Sequence, residues 1–245
     1  MSDNLDDSSR AEAEAFTTEL AALWQAQLGS SLIGVYRIGS LAHGGFSRRY
    51  SDIDIAIVSE TGLSREQLER ARAAALQRSA PLGAKLSIFW SDRGFSIGRL
   101  PPLDRIDYLD HGVPLIERER IRPDRPSLDA VRAYLRGQPL ESFGEQVKRF
   151  AAVTSLGPAD QKPYLRTLLY PARFFYSWMT GRMASNDTAV AFLAKAAPPG
   201  IDIDLVARAL HLRHEASDLD ALLPDRVKLP ALFTGCVHIV ETAAG

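Results

Sequence analysis

Two kinds of hydrophobic pattern divide the chain. In the first half, apolar runs of strand length at 32–38, 53–58 and 85–90 are separated by turn residues and by stretches of helical spacing. A shorter run at 113–116 predicts an edge strand. Beyond residue 127 the apolar residues recur at helical spacing, without the alternation of strands. We therefore predict an α/β (α+β) first domain with a small mixed sheet, followed by an all-α helical bundle domain.

Start and stop signals place the helices of the first half. An amphipathic segment of helical spacing stops at Gly29, a residue type that commonly ends helices. Ser64 and Gln67 have the spacing of a capping box, in which each side chain accepts the backbone N–H of the other residue. They predict the start of a second helix, and a third, shorter helix is expected over 103–110.

Proline residues concentrate between Gly94 and Pro126, which is typical of a connecting segment. We place the domain boundary at the end of this segment, which predicts domains of residues 1–122 and 123–245. The helices of the second domain are predicted at 127–135, 140–153, 164–180, 185–196, 205–215 and 229–240.

Composition narrows the possible partners. Hydrophobic residues make up 46% of the chain, charged residues 24%, and the formal net charge is -1, so no broad basic field is available to hold a long nucleic acid. Small substrates are favoured. The single cysteine, Cys236, excludes an internal disulfide and is expected to be a buried, inert thiol. No apolar run reaches the length of a membrane span and no secretory leader is recognised, so we expect a cytoplasmic protein without a membrane partner.

The chemistry is expected where the first strand ends and the second begins. Gly39 and Ser40 form a turn whose backbone N–H groups are expected to be free for a phosphate. Asp52 and Asp54 open the second strand, and because strand side chains alternate between faces, both carboxylates should point the same way. Their mutual repulsion is best relieved by a divalent cation, for which Mg²⁺ is the leading candidate. Metal and phosphate sites would then be neighbours.

This arrangement resembles the nucleotidyltransferase superfamily, in which a Gly-Ser turn is followed, after a spacer, by Asp-x-Asp on the next strand. The matching residues are Gly39, Ser40, Ser51, Asp52 and Asp54. An acid-capped strand after a glycine loop is the simpler alternative, but the whole combination is much rarer by chance. The resemblance implies a nucleotidyltransferase domain over residues 1–122, with both acids binding metal and acting in catalysis. It also implies that Gly39, Ser40 and Ser51 bind the nucleotide.

One family feature is missing. The remaining carboxylate of the family normally lies on the third strand, where this chain has Lys85 and Ser87 on one face. Serine cannot abstract a proton at neutral pH without its own base, and a charged lysine would repel the metal. The third acid is therefore replaced, displaced to Asp92 beyond the predicted strand end, or absent.

A second segment resembles the helical-domain signature of aminoglycoside (streptomycin/spectinomycin) adenylyltransferases. Matching residues are Arg173, Tyr176, Thr180, Gly181 and Asp187. The resemblance implies that Arg173 helps to clamp the phosphates of ATP. Asn186 stands where the family has a lysine, and an amide cannot neutralise triphosphate charge. The simpler alternative is a bundle core of aromatic residues with Gly181 as a helix C-cap.

The histidines do not predict a further metal site. His211 and His214 share a helix face and are interpreted as a surface pair, because no third ligand has metal-site spacing. His43 lies in the Gly-Ser loop, where packing within the loop is favoured over a contact with phosphate or metal.

Together these features predict a Mg²⁺-dependent enzyme that moves AMP from ATP to a hydroxyl of a small molecule, with an aminoglycoside as one candidate acceptor. The family's acidic and aromatic residues for a cationic drug are not found, since 154–163 offers only Asp160. The alternative is a nucleotide-binding regulator or pseudoenzyme that has lost the third carboxylate. Modification of a protein or of an RNA end rests only on the versatility of the fold.

Overall fold

A computed structural model describes residues 2–215 and 217–242 of the chain, with side chains from Ser9 onward. It forms two compact units, Met1–Pro126 and Ser127–Gly245. Among the described residues, no helix has the length and apolar character needed to cross a bilayer.

The described part of the first unit combines five α-helices, a 3-10 helix at Gly29–Ser31 and five strands. Their bounds are α1 Ser2–Leu28, β1 Leu32–Ile38, α2 Ser40–His43, β2 Ile53–Ser59, α3 Arg65–Arg78, α4 Ala80–Gly83, β3 Leu86–Asp92, β4 Gly98–Arg99, α5 Pro102–His111 and β5 Val113–Glu117.

The predicted mixed sheet is confirmed. Its strand order is β4-β3-β2-β1-β5, with β2 and β3 parallel and the remaining neighbours antiparallel. β5 lies at one edge, as its short apolar run predicted. The two-residue strand β4 occupies the other edge and was not predicted. Lys85 lies outside β3, which starts one residue later and continues to Asp92.

The two faces of the sheet pack against different helices. On one face, Ile53, Ile55 and Ile57 are buried in a cluster with residues of α1 and α3. On the other face, Ala56 and Val58 are buried in a cluster that includes Tyr108 of α5. Because side chains alternate along β2, Asp54 belongs to the face that carries Ala56 and meets α5.

The predicted capping box is present at the start of α3. The N–H of Gln67 donates to the hydroxyl of Ser64 at 3.2 Å, and the N–H of Ser64 donates to the side-chain oxygen of Gln67 at 2.8 Å. Two N–H groups that the first helical turn leaves without a helical partner are thus satisfied.

The described part of the second unit is helical. Its elements are α6 Leu128–Arg136, α7 Gln138–Ala151, α8 Pro158–Thr180, α9 Asn186–Ala196, α10 Ile203–His214, a 3-10 helix Leu219–Lys228 and α11 Leu229–Thr242. The longest helix described in this unit, α8, begins six residues before its predicted start, because Pro158 suits a first turn and Asp160 accepts the N–H of Gly157 at 3.2 Å. The 3-10 helix was not predicted.

Candidate active site

The turn after β1 lies directly against Asp54. Ile38, the last residue of β1, is paired with Asp54 in the antiparallel register of β1 and β2. Gly39 follows with φ +67, a conformation that favours glycine. A Cβ atom at Gly39 would lie 2.2 Å from Oδ2 of Asp54. Both the backbone conformation and this close approach therefore require glycine.

Burial along β2 separates the two acids from the hydrophobic positions. Ile53 and Ile55 are fully buried, whereas Asp52 and Asp54 are partly exposed. This period of two is the expected strand alternation, with Asp52 one residue before the strand begins. Both acidic residues are therefore partly exposed, and Asp54 lies next to the turn.

The expectation of a free N–H at Gly39 is wrong. This N–H donates to Oδ2 of Asp107 at 2.5 Å, so it is already occupied by a carboxylate. The carbonyl of Gly39 accepts the N–H groups of Ala42 and His43 at 2.9 and 3.0 Å, which closes the short helix α2. Ser40, the first residue of α2, is partly exposed. A contact between Ser40 and a phosphate stays a prediction.

Ser51 has a role inside the loop that precedes β2. Its hydroxyl accepts the N–H of Ser47 at 3.0 Å, and its own N–H donates to the carbonyl of Ser47 at 2.8 Å. The side chain is buried. These contacts shape the approach to Asp52, and a contact between Ser51 and a nucleotide stays a prediction.

The register of β3 distinguishes between the possible third acids. Parallel pairing sets Ser87 opposite Asp54 and Asp92 opposite Ser59. Asp92 is five residues further along the sheet, about 16 Å from the site at 3.3 Å per residue. Displacement of the third acid to Asp92 is therefore wrong. Lys85 precedes β3, and its ammonium group donates to the carbonyl of Arg48.

Asp92 is instead a turn residue. Its Oδ1 accepts the N–H groups of Ile97 and Ser96 at 3.0 and 2.7 Å. The bond from Ile97 has the larger effect, and together the two bonds hold the pKa of the Asp92 carboxyl below its usual value. The carboxylate therefore closes the turn between β3 and β4.

Helix α5 brings residues to the turn that the sequence did not single out. Asp107 is 2% exposed and holds Gly39, as described above. One helical turn later, the ring of His111 meets that of His43 edge-on, with centroids 5.5 Å apart. The sequence did offer one sign that Asp107 is buried: it lies between Ile106 and Tyr108, which are both buried in the structure. His43 thus packs against α5, and the choice between packing within the loop and a contact with phosphate or metal stays untested.

In the second unit, the signature segment forms the end of α8 and the turn after it. Gly181 has φ +63 and its N–H donates to the carbonyl of Ser177 at 2.9 Å, which makes it the C-cap. The hydroxyl of Thr180 donates to the carbonyl of Tyr176 at 2.7 Å. Phe174 and Trp178 are buried. The segment therefore has the core stripe and the glycine cap of the simpler alternative, which are compatible with the family resemblance because Arg173 lies on another face of the helix.

Arg173 lies on the exposed side of α8. Asn186 is the first residue of α9, which Ser185 caps by accepting the N–H of Thr188 at 3.2 Å. Asp187 is 2.7 Å from Nε2 of His214. A contact between the exposed Arg173 and a nucleotide stays a prediction.

Comparisons with known proteins give a structural match only. No protein-family model and no curated protein matches the sequence. A crystal structure of spectinomycin adenyltransferase AAD(9) from Enterococcus faecialis, with ATP and spectinomycin, matches with a TM-score of 0.67. The match covers 93% of this chain and 99% of that chain, at 13% sequence identity. The chain has the fold of an adenyltransferase.

The carboxylates of Asp52 and Asp54 are donors of the kind that Mg²⁺ accepts together with phosphate. Within the described residues there is no group of three or more histidine, cysteine, aspartate or glutamate side chains that could enclose a metal ion. Mg²⁺ commonly takes one or two carboxylates and completes its shell with phosphate and water. Asp52 and Asp54 supply two hard oxygen donors beside the turn. They suit a cation that arrives with phosphate and do not form a protein-only cage.

Proposed function

We propose that the protein is a nucleotidyltransferase that moves AMP from ATP to a hydroxyl of a small molecule. The observation that carries this proposal is the contact between Gly39 and Asp54, which joins the Gly-Ser turn to the paired acids. The shared fold with an ATP-using spectinomycin adenyltransferase supports it. An aminocyclitol or aminoglycoside is the acceptor class we propose.

Three groups have proposed roles in binding ATP. Asp52 and Asp54 would hold Mg²⁺, which when bound supplies charge neutralisation to the triphosphate and to the leaving pyrophosphate. Ser40 would donate to a phosphate oxygen through its hydroxyl and its N–H. Arg173, from the second unit, would offset phosphate charge, as the family resemblance implies.

In the proposed reaction the acceptor hydroxyl oxygen forms a bond to the α-phosphorus of ATP. The bond from that phosphorus to the bridging oxygen breaks, and pyrophosphate leaves. Ser87, in register with Asp54, can orient the hydroxyl but cannot take its proton. The proton therefore passes to water or to a basic group of the substrate, and positioning supplies most of the acceleration.

One observation favours a second candidate, a nucleotide-binding regulator. A serine lies beside Asp54 on the strand that carries the third carboxylate in the family. Such a protein would bind ATP with Mg²⁺ and release it unchanged.

The two candidates are separated by measuring binding and turnover on the same preparations. Calorimetry with ATP and Mg²⁺ measures binding, and α-³²P-labelled ATP with a panel that includes spectinomycin and streptomycin measures transfer of AMP. We expect the wild type to bind ATP with Mg²⁺ and to transfer AMP, and Asp52→Ala to do neither. Asp92→Asn is the matched control, because that carboxylate lies at the other end of the sheet.

Each result has a defined meaning. Binding without labelled product from any acceptor would favour the regulator. Absence of binding by the wild type would refute both candidates. Equal activity in the wild type and Asp52→Ala would remove the proposed role of the paired acids.

A further inference from the structure

A buried carboxylate, that of Asp107, accepts a hydrogen bond from the turn at Gly39. Asp107 lies in the middle of α5 with 2% of its surface exposed. Burying a carboxylate is costly unless hydrogen bonds compensate it. The 2.5 Å bond from the N–H of Gly39 provides such compensation, and it joins residues that are 68 positions apart in the chain.

The bond acts on the one residue of the turn with the most conformational freedom. Glycine populates positive and negative φ about equally, so the φ of +67 at Gly39 is not fixed by its own sterics. A hydrogen bond to an ionised acceptor is roughly twice as strong as a neutral one. Asp107 can therefore select this backbone conformation.

The conformation of Gly39 in turn limits where Asp54 can lie. A Cβ atom built at Gly39 would lie 2.2 Å from Oδ2 of Asp54, so the glycine backbone packs closely against that carboxylate. A rotation at Gly39 would change the space available to the Asp54 side chain. The chain of contacts runs from Asp107 through Gly39 to the proposed metal ligand Asp54.

We infer that Asp107 is a positioning residue that fixes the Gly39 turn and, through it, the carboxylate of Asp54. Its effect on nucleotide binding rests on the proposed function, whereas the hydrogen bond does not. The same bond removes the Gly39 N–H from phosphate binding.

The test uses the full chain with three substitutions. Asp107→Leu removes the acceptor while keeping the number of side-chain heavy atoms, and Asp107→Asn retains an oxygen acceptor that cannot ionise. Asp110→Asn, on the same helix, is the matched control, because that exposed carboxylate pairs with Arg125 and not with the turn. Hydrogen exchange of the Gly39 amide in ¹⁵N-glycine-labelled protein reports on the bond, and calorimetry reports on ATP binding with and without Mg²⁺.

We expect Asp107→Leu to lose protection of the Gly39 amide and to weaken binding of ATP with Mg²⁺ by about 10- to 100-fold, the usual effect of losing a residue that supports a metal ligand. Asp107→Asn should retain part of the Gly39 protection and part of the ATP affinity, and Asp110→Asn should match the wild type in both measurements. If Asp107→Leu does not fold, the same two measurements on Asp107→Asn and Asp110→Asn test the inference.

Two results would overturn the inference. Unchanged Gly39 protection in both Asp107 variants would show that the bond does not hold the turn. Lost protection with unchanged ATP affinity would show that the turn does not position Asp54. If the wild type binds no ATP, the proposed function fails, while the Gly39 amide still reports whether Asp107 fixes the turn.

Discussion

Gly39 is the residue at which the proposed site is most sensitive. Its φ of +67 demands glycine, its N–H is held by Asp107, and its Cα faces the carboxylate of Asp54. These three constraints come from different parts of the chain. A substitution here therefore tests backbone strain and the geometry of the site together.

We predict that Gly39→Ala costs more stability than backbone strain alone and abolishes binding of ATP with Mg²⁺. A non-glycine residue at positive φ costs about 1–2 kcal/mol, and here the added methyl group must also displace Asp54. Urea unfolding measures the first effect and calorimetry the second.

The matched control is Gly29→Ala. Gly29 has φ +53, but an added Cβ would meet nothing within 4 Å. It should show the strain cost alone and bind ATP normally. Equal stability losses for the two variants, with binding intact in both, would contradict the contact between Gly39 and Asp54.

At the scale of elements, local signals were predictable and register was not. The strands β1 and β2, the capping box at Ser64 and the glycine turn follow from patterns within a few residues, and the structure contains all of them. The choice between Lys85 and Ser87 beside Asp54 depends on how β2 and β3 align, which is a non-local property. Asp107 escaped prediction for the same reason, because its partner is 68 residues away.

The register makes a testable prediction for Ser87. Ser87→Glu would put a carboxylate on β3 beside Asp54, where the family resemblance leads us to expect the third acid. If proton removal limits transfer, we predict that this variant raises turnover by about 10²-fold, at the low end for general base catalysis. Transfer of labelled AMP under saturating ATP measures the effect.

Ser87→Gln is the control for the longer side chain, since it adds similar volume without a base. We expect it to be no faster than the wild type. A folded Ser87→Glu protein that binds ATP but transfers AMP no faster than Ser87→Gln would show that a carboxylate at this strand position does not act as the base.

At the scale of the whole molecule, the chain divides into two compact units. Asp52 and Asp54 belong to the first unit, whereas Arg173 belongs to the second. The sequence predicted a sheet-containing part and a helical part because the period of the hydrophobic pattern changes near residue 127. The residues expected to contact ATP came from the two family resemblances, because a hydrophobic period reports only on local structure.

Thermal unfolding can test whether both units contribute to ATP binding. A ligand that binds only the folded state at 100 times its Kd adds about 2.7 kcal/mol of stability, equivalent to a rise in Tm of roughly 10 °C for a unit of this size. We predict that ATP with Mg²⁺ raises the Tm of every transition seen by calorimetry, and that removal of Mg²⁺ with a chelator abolishes the rise.

Arg173→Gln should reduce this stabilisation, because it removes one proposed phosphate contact. Lys195→Gln removes an equally exposed positive charge from α9 of the same unit and should leave the stabilisation unchanged. Equal responses of the two variants would mean that Arg173 does not bind phosphate. If two transitions are resolved and only one moves with ATP, the nucleotide binds within a single unit, and the role implied for Arg173 by the family resemblance does not apply to this chain.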